Sequence, residues 1–181
     1  MSKLLKAFGI VCIILAGVLF WQRNNPKRVT FLSAQIEKET ISGVKKNVPT
    51  RLIIKNADID LEIFSAKING QRWETTTLGV SWLDISPIPG EKGNSIIYGH
   101  NWTNLLGNLI KVQPGNEIEI VYKDGSSKYF TVENTAKVSA KNVSVLNQTT
   151  GQKITIYTCV GLFDENRLVV VGTLIKNSAK K

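Results

Sequence analysis

The sequence contains very few thiol and imidazole groups: there are two cysteines and one histidine among 181 residues. Cys12 lies inside an apolar N-terminal run, and Cys159 lies far from it in the C-terminal part. If the apolar run is in a membrane, the two sulfur atoms cannot form a disulfide. Because cysteines outside the cell are usually oxidised in pairs, an unpaired external Cys159 is either incidental or a working nucleophile.

The chain also lacks a concentrated basic patch, although its formal net charge is +9. The lysines and arginines are scattered, and aromatic residues do not alternate with them. A nucleic-acid-binding surface would gather basic residues on one face or along one stripe. We therefore expect no nucleic-acid partner, and we interpret the positive charge as a solvated surface that suits an anionic membrane or cell wall.

The longest apolar segment is the uncharged run Ala7–Trp21, which is fifteen residues long. A membrane-spanning helix needs roughly 20 residues, a length that the preceding leucines supply if Lys6 extends toward the headgroups. A cleaved signal peptide is the rival interpretation, but no small-residue cleavage site follows Trp21. We expect an uncleaved transmembrane helix at residues 1–22, and basic residues on both of its sides leave its orientation undecided.

Turn residues divide the rest of the chain into three parts. Residues 23–49 form a connector, in which apolar residues at rough helical spacing favour a short amphipathic helix. Residues 50–176 alternate short strand-like segments with turns, and residues 177–181 form a basic tail. No internal repeat and no low-complexity tract is visible.

The strand-like segments share β-branched runs or an alternation of polar and apolar residues. They lie at residues 51–54, 57–64, 94–98, 117–122, 128–133, 153–158 and 168–174, and the pair Asn69-Gly70 indicates a further hairpin. About eight strands with no long helical pattern predict an all-β domain, either a closed barrel or a sandwich.

Three chemically useful side chains stand at the ends of predicted strands. Cys159 ends a β-branched and aromatic strand, His100 follows another short strand, and Arg167 opens the last one. A thiol nucleophile needs a partner that manages its proton and a group that stabilises the oxyanion. We therefore expect a cleft at one barrel rim. Gly99 would permit a sharp turn that aims the imidazole, and Asn101 either orients the ring or turns the chain.

The motif Thr155-Ile156-Tyr157-Thr158-Cys159, with Gly99-His100 before it and Arg167 after it, resembles the signature of the sortases. Isoleucine replaces the usual leucine of the Thr-Leu-x-Thr-Cys box. The segment at residues 87–94 resembles the family's Pro-Gly and Gly-Asn lead-in to the histidine. The similarity covers roughly residues 51–175. It implies an eight-stranded, closed sortase β-barrel with short helices and loops.

The resemblance also implies an activity: a membrane-anchored cysteine transpeptidase at the outer face of a bacterial membrane. Cys159 would attack the Thr-Gly bond of a Leu-Pro-x-Thr-Gly C-terminal sorting signal and form a thioacyl enzyme. An amine of the cell surface, on a peptidoglycan precursor or a pilin-like subunit, would then accept the surface protein. His100 would transfer protons, and Arg167 would stabilise the oxyanion or position the substrate backbone.

Substrate recognition is expected on loops beside the cysteine strand. By the same resemblance, the loop at residues 139–152 would grip the Leu-Pro part of the signal, with apolar contacts from Val143, Val145 and Leu146. These side chains equally suit a role in fixing the loop to the barrel. Thr158 either orients the site and contacts substrate, or is simply a β-branched strand residue.

No cofactor is expected. Some sortases bind calcium through acidic loops, but Asp164 and Glu165 are too few ligands for such a site. Two alternative functions stay open: a cysteine peptidase of the same fold that releases its product to water, and a non-catalytic membrane-tethered domain that binds peptides. Transfer to an amine would argue against the first, and binding without turnover would support the second.

Overall fold

The computed structural model describes residues 2–23, 47–69, 72–161 and 164–175. The helix expected over the apolar run is present: α1 is Ser2–Arg23, and its side chains from Leu5 to Trp21 are exposed. Across the described ranges, no helix is long and apolar enough to cross a membrane. The predicted connector helix and the basic tail lie outside the described residues.

The remainder of the described chain consists of short strands joined by turns and short 3-10 helices. The strands are β1 (Pro49–Ile54), β2 (Ile59–Ala66), β3 (Ile68–Asn69), β4 (Arg72–Trp73), β5 (Val80–Leu83), β6 (Gly93–Gly99), β7 (Glu117–Tyr122), β8 (Ser127–Ser139), β9 (Gln152–Val160) and β10 (Asn166–Leu174). The 3-10 helices are Lys55–Ala57, Leu106–Lys111 and Ser144–Leu146.

Eight of these strands close into one barrel, in the order β1-β2-β5-β6-β9-β10-β8-β7. Neighbouring strands are antiparallel, except that β2 pairs with β5 and β6 pairs with β9 in parallel. The short strands β3 and β4 form a separate two-stranded hairpin, at the predicted Asn-Gly position. Closure removes the exposed sheet edges. The predicted closed barrel is confirmed, and the sandwich is excluded.

Strand periodicity decides which side chains fill the barrel. In β7, Ile118, Ile120 and Tyr122 are buried while Glu117 is exposed, as expected when successive side chains point to opposite faces. The interior brings together aliphatic and aromatic side chains from all around the barrel. Its fully buried members include Leu52, Ile54, Val80, Ile97, Leu106, Ile118, Phe130, Ile154, Ile156 and Val170.

A second apolar cluster covers the outer face of β6, β9 and β10, and we call it the outer cluster. Its buried members are Ala66, Trp73, Leu83, Ile96, Tyr98, Leu146, Tyr157, Cys159 and Val169. On each strand these residues alternate with residues of the barrel interior. These strands are therefore covered on both faces, and the outer cluster underlies the functional site.

The structure differs from the predicted strands in three places. The strand predicted at residues 128–133 is longer, because β8 continues to Ser139. The strand predicted to start at Ala57 begins at Ile59 instead, because Asp58 takes a left-handed conformation with φ 53° and closes a turn on the carbonyl of Lys55. β5 is not predicted by the sequence pattern. Its four residues are all buried, so they lack the alternation that marks a half-exposed strand.

Candidate active site

Cys159 and Arg167 face each other across two antiparallel strands. In the register of β9 and β10 they are direct partners. Directly opposed residues in an antiparallel pair have Cβ atoms about 4.5–5.5 Å apart. Both residues are nearly enclosed, with 3% of Cys159 and 6% of Arg167 exposed. The predicted proximity of the thiol and the guanidinium thus follows from a single strand pairing.

His100 reaches the same place through a parallel pairing. β6 runs beside β9 with Tyr98 opposite Tyr157 and Gly99 opposite Thr158, so His100 follows the strand toward Cys159. Tyr98 and Tyr157 both belong to the outer cluster. Because side chains two residues apart on a strand share a face, Cys159 continues the face of Tyr157, and His100 directly follows the end of β6. Cys159, His100 and Arg167 therefore lie at the same end of the barrel, at the ends of three adjacent strands.

Gly99 serves packing rather than a sharp turn. Its φ angle is outside the left-handed region, and it belongs to β6. A Cβ atom on Gly99 would lie 3.3 Å from both Leu106 Cδ1 and Val80 Cγ1. The expectation that Gly99 bends the chain sharply is wrong, because the residue continues strand β6, where its small size lets the side chains beneath it approach closely.

The imidazole of His100 is enclosed, with 3% of the residue exposed. Within the described residues its Nε2 atom has no hydrogen-bond partner. The ring stacks on Trp102, with ring centroids 4.6 Å apart and planes 13° apart. Burial lowers the pKa of His100 below its ordinary value, and the carboxylate of Asp164 opposes this shift. The neutral imidazole is therefore favoured near neutral pH.

The guanidinium of Arg167 is held by backbone carbonyls. Nη1 donates to the carbonyl oxygens of Asp164 at 2.6 Å and Asn166 at 3.0 Å. Asp164 adopts a left-handed conformation with φ 58°, a conformation that Asp tolerates better than most residues. The guanidinium carbon also lies 6.0 Å from the centre of the Tyr157 ring. These contacts fix the charged group on the same outer face as Cys159.

Thr158 points away from the outer face and ties two strands together. The residue is fully buried, and its hydroxyl donates to the carbonyl oxygen of Gly99 at 2.8 Å. The bond fixes the peptide unit directly before His100. This placement supports the interpretation that Thr158 orients the site, and its predicted contact with substrate stays a prediction.

The loop between β8 and β9 is attached to the outer cluster by its apolar side chains. Leu146 is buried in the cluster, Val145 packs against it, and Val143 is half-buried. The 3-10 helix Ser144–Leu146 presents these residues close to the cluster that contains Cys159. The loop is thus attached to the cluster that contains Cys159, and its contact with substrate stays a prediction.

Asn94 fixes that loop from the other side. Its Nδ2 atom donates to the carbonyl oxygens of Val145 at 3.4 Å and Asn147 at 3.2 Å. Its Oδ1 atom accepts the hydroxyl proton of Thr155 at 2.8 Å, and Gln148 accepts from its backbone N–H at 2.9 Å. We call this set the Asn94 clamp. It connects the strand that leads to His100 with the loop beside Cys159.

Sequence patterns miss two of these residues. The residue that stacks on the imidazole is Trp102 rather than Asn101. The only signal for this role in the sequence is that Trp102 lies two residues after the single histidine. Asn94 lies in the segment that resembles the family's lead-in to the histidine, but its link to a distant loop depends on the barrel topology. Among the described residues, no group of three or more His, Cys, Asp or Glu side chains could hold a metal ion.

A buried thiol beside an imidazole and a guanidinium suits acyl transfer through a covalent thioester, because the three groups supply a nucleophile, a proton carrier and an oxyanion partner. The fold and the site together define a cysteine-dependent acyl-transfer enzyme. The family model of the sortase domain matches residues 52–175. The chain belongs to the sortase family and is a cysteine transpeptidase.

Individual relatives agree with this assignment. Sortase A of Listeria monocytogenes is 26% identical over 167 residues, which are 86% of this chain and 72% of the relative. Sortase A of Bacillus anthracis is 25% identical over 141 residues, covering 76% of this chain and 64% of the relative. The crystal structure of Listeria monocytogenes sortase A superposes with a TM-score of 0.59 at 27% identity, over 71% of this chain and 88% of that one.

Proposed function

We propose that Cys159 is the nucleophile of a sorting reaction, that His100 carries its protons and that Arg167 stabilises the oxyanion. One observation carries this proposal: Arg167 is the direct partner of Cys159 across β9 and β10, and His100 directly follows β6, which pairs with β9 up to Gly99 and Thr158. Membership of the sortase family supports it independently.

The proposed substrate is a surface protein with a Leu-Pro-x-Thr-Gly type C-terminal sorting signal. His100 takes the proton of the Cys159 thiol, the sulfur attacks the carbonyl carbon of the threonine, and the carbon–nitrogen bond to glycine breaks. His100 protonates the departing amine, which leaves a thioester between the threonine and Cys159. His100 then takes a proton from an incoming amine, whose nitrogen displaces the sulfur and forms a new amide bond.

Arg167 is suited to the oxyanion because it is already fixed. The carbonyl oxygens of Asp164 and Asn166 hold Nη1. A donor that needs no reorganisation stabilises developing charge better than a mobile one. Arginine also stays charged throughout the working pH range, so it serves as a donor and not as a base.

The apolar part of the signal would bind beside the loop between β8 and β9. Leu146, Val145 and Val143 give this loop an apolar side next to the outer cluster. The Asn94 clamp fixes its backbone. We propose that these three side chains contact the leucine and proline of the signal, with Thr158 holding the His100 peptide in place from below.

We further propose that α1 attaches the enzyme to the bacterial cell membrane, with the barrel outside the cell. The uncharged run Ala7–Trp21 lies within α1, and its apolar side chains are exposed. Apolar surface of this extent is otherwise unfavourable in water. The acceptor amine would then be part of the cell surface, on a peptidoglycan precursor or a pilin-like subunit.

Transfer to an amine is tested with the full chain in a mild detergent, a Leu-Pro-x-Thr-Gly peptide and triglycine, with products identified by mass spectrometry. We expect a peptide ligated to triglycine in the wild type and none with Cys159→Ala. Cleavage by water in spite of abundant triglycine would favour the peptidase. Peptide binding with neither product, by a folded protein, would favour the non-catalytic binding domain.

A further inference from the structure

The indole of Trp102 stacks on the imidazole of His100. The two rings are stacked face to face, 4.6 Å apart and 13° from parallel. Trp102 is half-buried, whereas His100 is enclosed. The indole therefore lies between one face of the imidazole and the solvent.

The chain after His100 is folded so that Trp102 stays in this position. The carbonyl oxygen of Trp102 accepts the N–H groups of Leu105 at 2.9 Å and Gly107 at 2.8 Å, and the carbonyl oxygen of His100 accepts that of Leu106 at 3.1 Å. Position 107 has room only for glycine, because a Cβ atom there would lie 2.6 Å from the Trp102 carbonyl oxygen. The backbone of Trp102 is thus fixed at two points.

The stack matters because no described partner bonds Nε2 of His100. A catalytic imidazole is usually oriented by a hydrogen bond at one of its nitrogens. The flat contact with the indole also limits rotation of the ring. The face of an indole also attracts a cation, so the contact strengthens when the imidazole is protonated.

We propose that Trp102 is a positioning residue of the transpeptidase: its indole holds the His100 ring in plane beside Cys159 and favours the imidazolium that must protonate the departing amine. This inference rests on the proposed role of His100. The Asp164 carboxylate also acts on the imidazole, where it opposes the lowering of the pKa by burial. The other ionisable groups at this end of the barrel are Cys159 on β9 and Arg167 on β10.

The single histidine makes the test specific, since imidazole ¹⁵N resonances can come only from His100. The full chain is labelled with ¹⁵N-histidine in a mild detergent and titrated by NMR. Trp102→Leu and Trp102→Met remove the aromatic face, Trp102→Phe keeps one, and Trp21→Leu changes an exposed tryptophan of α1 as control. The values of kcat and KM for a Leu-Pro-x-Thr-Gly peptide with triglycine are measured in parallel.

We expect Trp102→Leu and Trp102→Met to lower the His100 titration midpoint by about half a pH unit. At neutral pH we expect kcat to fall by about tenfold with KM unchanged, as for an interaction that acts mainly in the transition state. Trp102→Phe should recover most of both effects, and Trp21→Leu should change neither.

An unchanged midpoint in a folded non-aromatic variant would overturn the proposal. A rise in KM with unchanged kcat would also overturn it, because Trp102 would then be a substrate contact. Failure of the proposed function is distinguishable from both results. If His100→Ala keeps full activity, the catalytic role of His100 is wrong, while the titration midpoints still decide whether Trp102 controls the imidazole.

Discussion

At the scale of single residues, the site combines an enclosed thiol with polar groups that the backbone holds in place. Arg167 illustrates the principle, because two carbonyl oxygens fix Nη1 before any substrate arrives. Lysine at this position would keep the charge but lose the planar fork, and its flexible ammonium could not be held in the same way.

Arg167→Lys should therefore lower kcat by roughly 10²–10³-fold, the usual loss when one oxyanion donor is removed. Steady-state kinetics with peptide and triglycine measure the change. Arg51→Lys is the matched control, since Arg51 forms an exposed ion pair with Asp60 on other strands. Near-normal kcat in Arg167→Lys would show that the guanidinium is not an oxyanion donor.

A second prediction concerns the contribution of His100 to the pH dependence of the free energy of unfolding. Burial lowers its pKa in the folded state, so the unfolded chain binds this proton more tightly. The free energy of unfolding then decreases as the pH falls below the unfolded value of about 6.5 toward the lower folded pKa. His100→Gln removes this contribution because glutamine does not titrate in this range.

Urea unfolding at pH 8 and pH 5 checks the sign. The wild type should lose more stability on acidification than His100→Gln does. An equal loss in the two proteins would mean that the pKa of His100 is not lowered by folding.

At the scale of single residues, much of the candidate site can be predicted from the sequence. Cys159, His100 and Arg167 can each be predicted from strand ends and a short motif, because strand pairing brings such ends together. Trp102 cannot be predicted in the same way. Its stacking depends on the conformation of the loop that follows His100, which the hydrogen bonds to Leu105 and Gly107 determine.

At the scale of elements, the loop between β8 and β9 depends on a residue of another strand. Asn94 bonds two loop carbonyls and the hydroxyl of Thr155. Because Asn94 and Thr155 are buried, removing the amide would leave polar groups without partners. The loss at the fully buried Thr155 hydroxyl costs about 1–3 kcal/mol, whereas water can replace the amide at the more exposed loop carbonyls.

Asn94→Ala should lower the free energy of unfolding by about 1–3 kcal/mol and raise KM for the peptide, because the substrate loop loses its attachment. Thr155→Val is the matched control, since it removes only the hydroxyl bond within the clamp. Urea unfolding and peptide kinetics measure both effects. If Asn94→Ala raises KM no more than Thr155→Val does, the clamp does not position the substrate loop.

The periodicity of the sequence predicts some strands better than others. The hairpin of β7 and β8 is predicted from its alternation and its turn, but β8 continues to Ser139, six residues past the predicted end. β5 is missed because Val80–Leu83 is buried on both faces, between the barrel interior and the outer cluster. Burial on both faces depends on the hairpin and loop that cover the barrel, which no local pattern shows.

At the scale of the whole molecule, the fold consists of a closed barrel and an N-terminal helix whose apolar residues are exposed. The proposed membrane attachment predicts how the whole chain behaves in cells. Expressed in full length in bacteria, the protein should stay with membranes after carbonate washing. Ile13→Lys together with Ile14→Lys should release a large fraction, because charges within an apolar segment are costly in lipid.

Thr131→Lys, at an exposed position of β8, is the control for added charge and should remain bound. Recovery of the wild-type chain in the soluble fraction would contradict membrane attachment by α1.

The most direct test of the central claim is the mass of the covalent intermediate. The full chain is mixed briefly with a Leu-Pro-x-Thr-Gly peptide, quenched in acid and mapped by mass spectrometry, with Cys12→Ser as a matched control for the second cysteine. We predict a thioester on Cys159 that forms equally in Cys12→Ser and disappears when triglycine is added. No adduct on Cys159 during turnover, or an adduct found only on Cys12, would contradict the account.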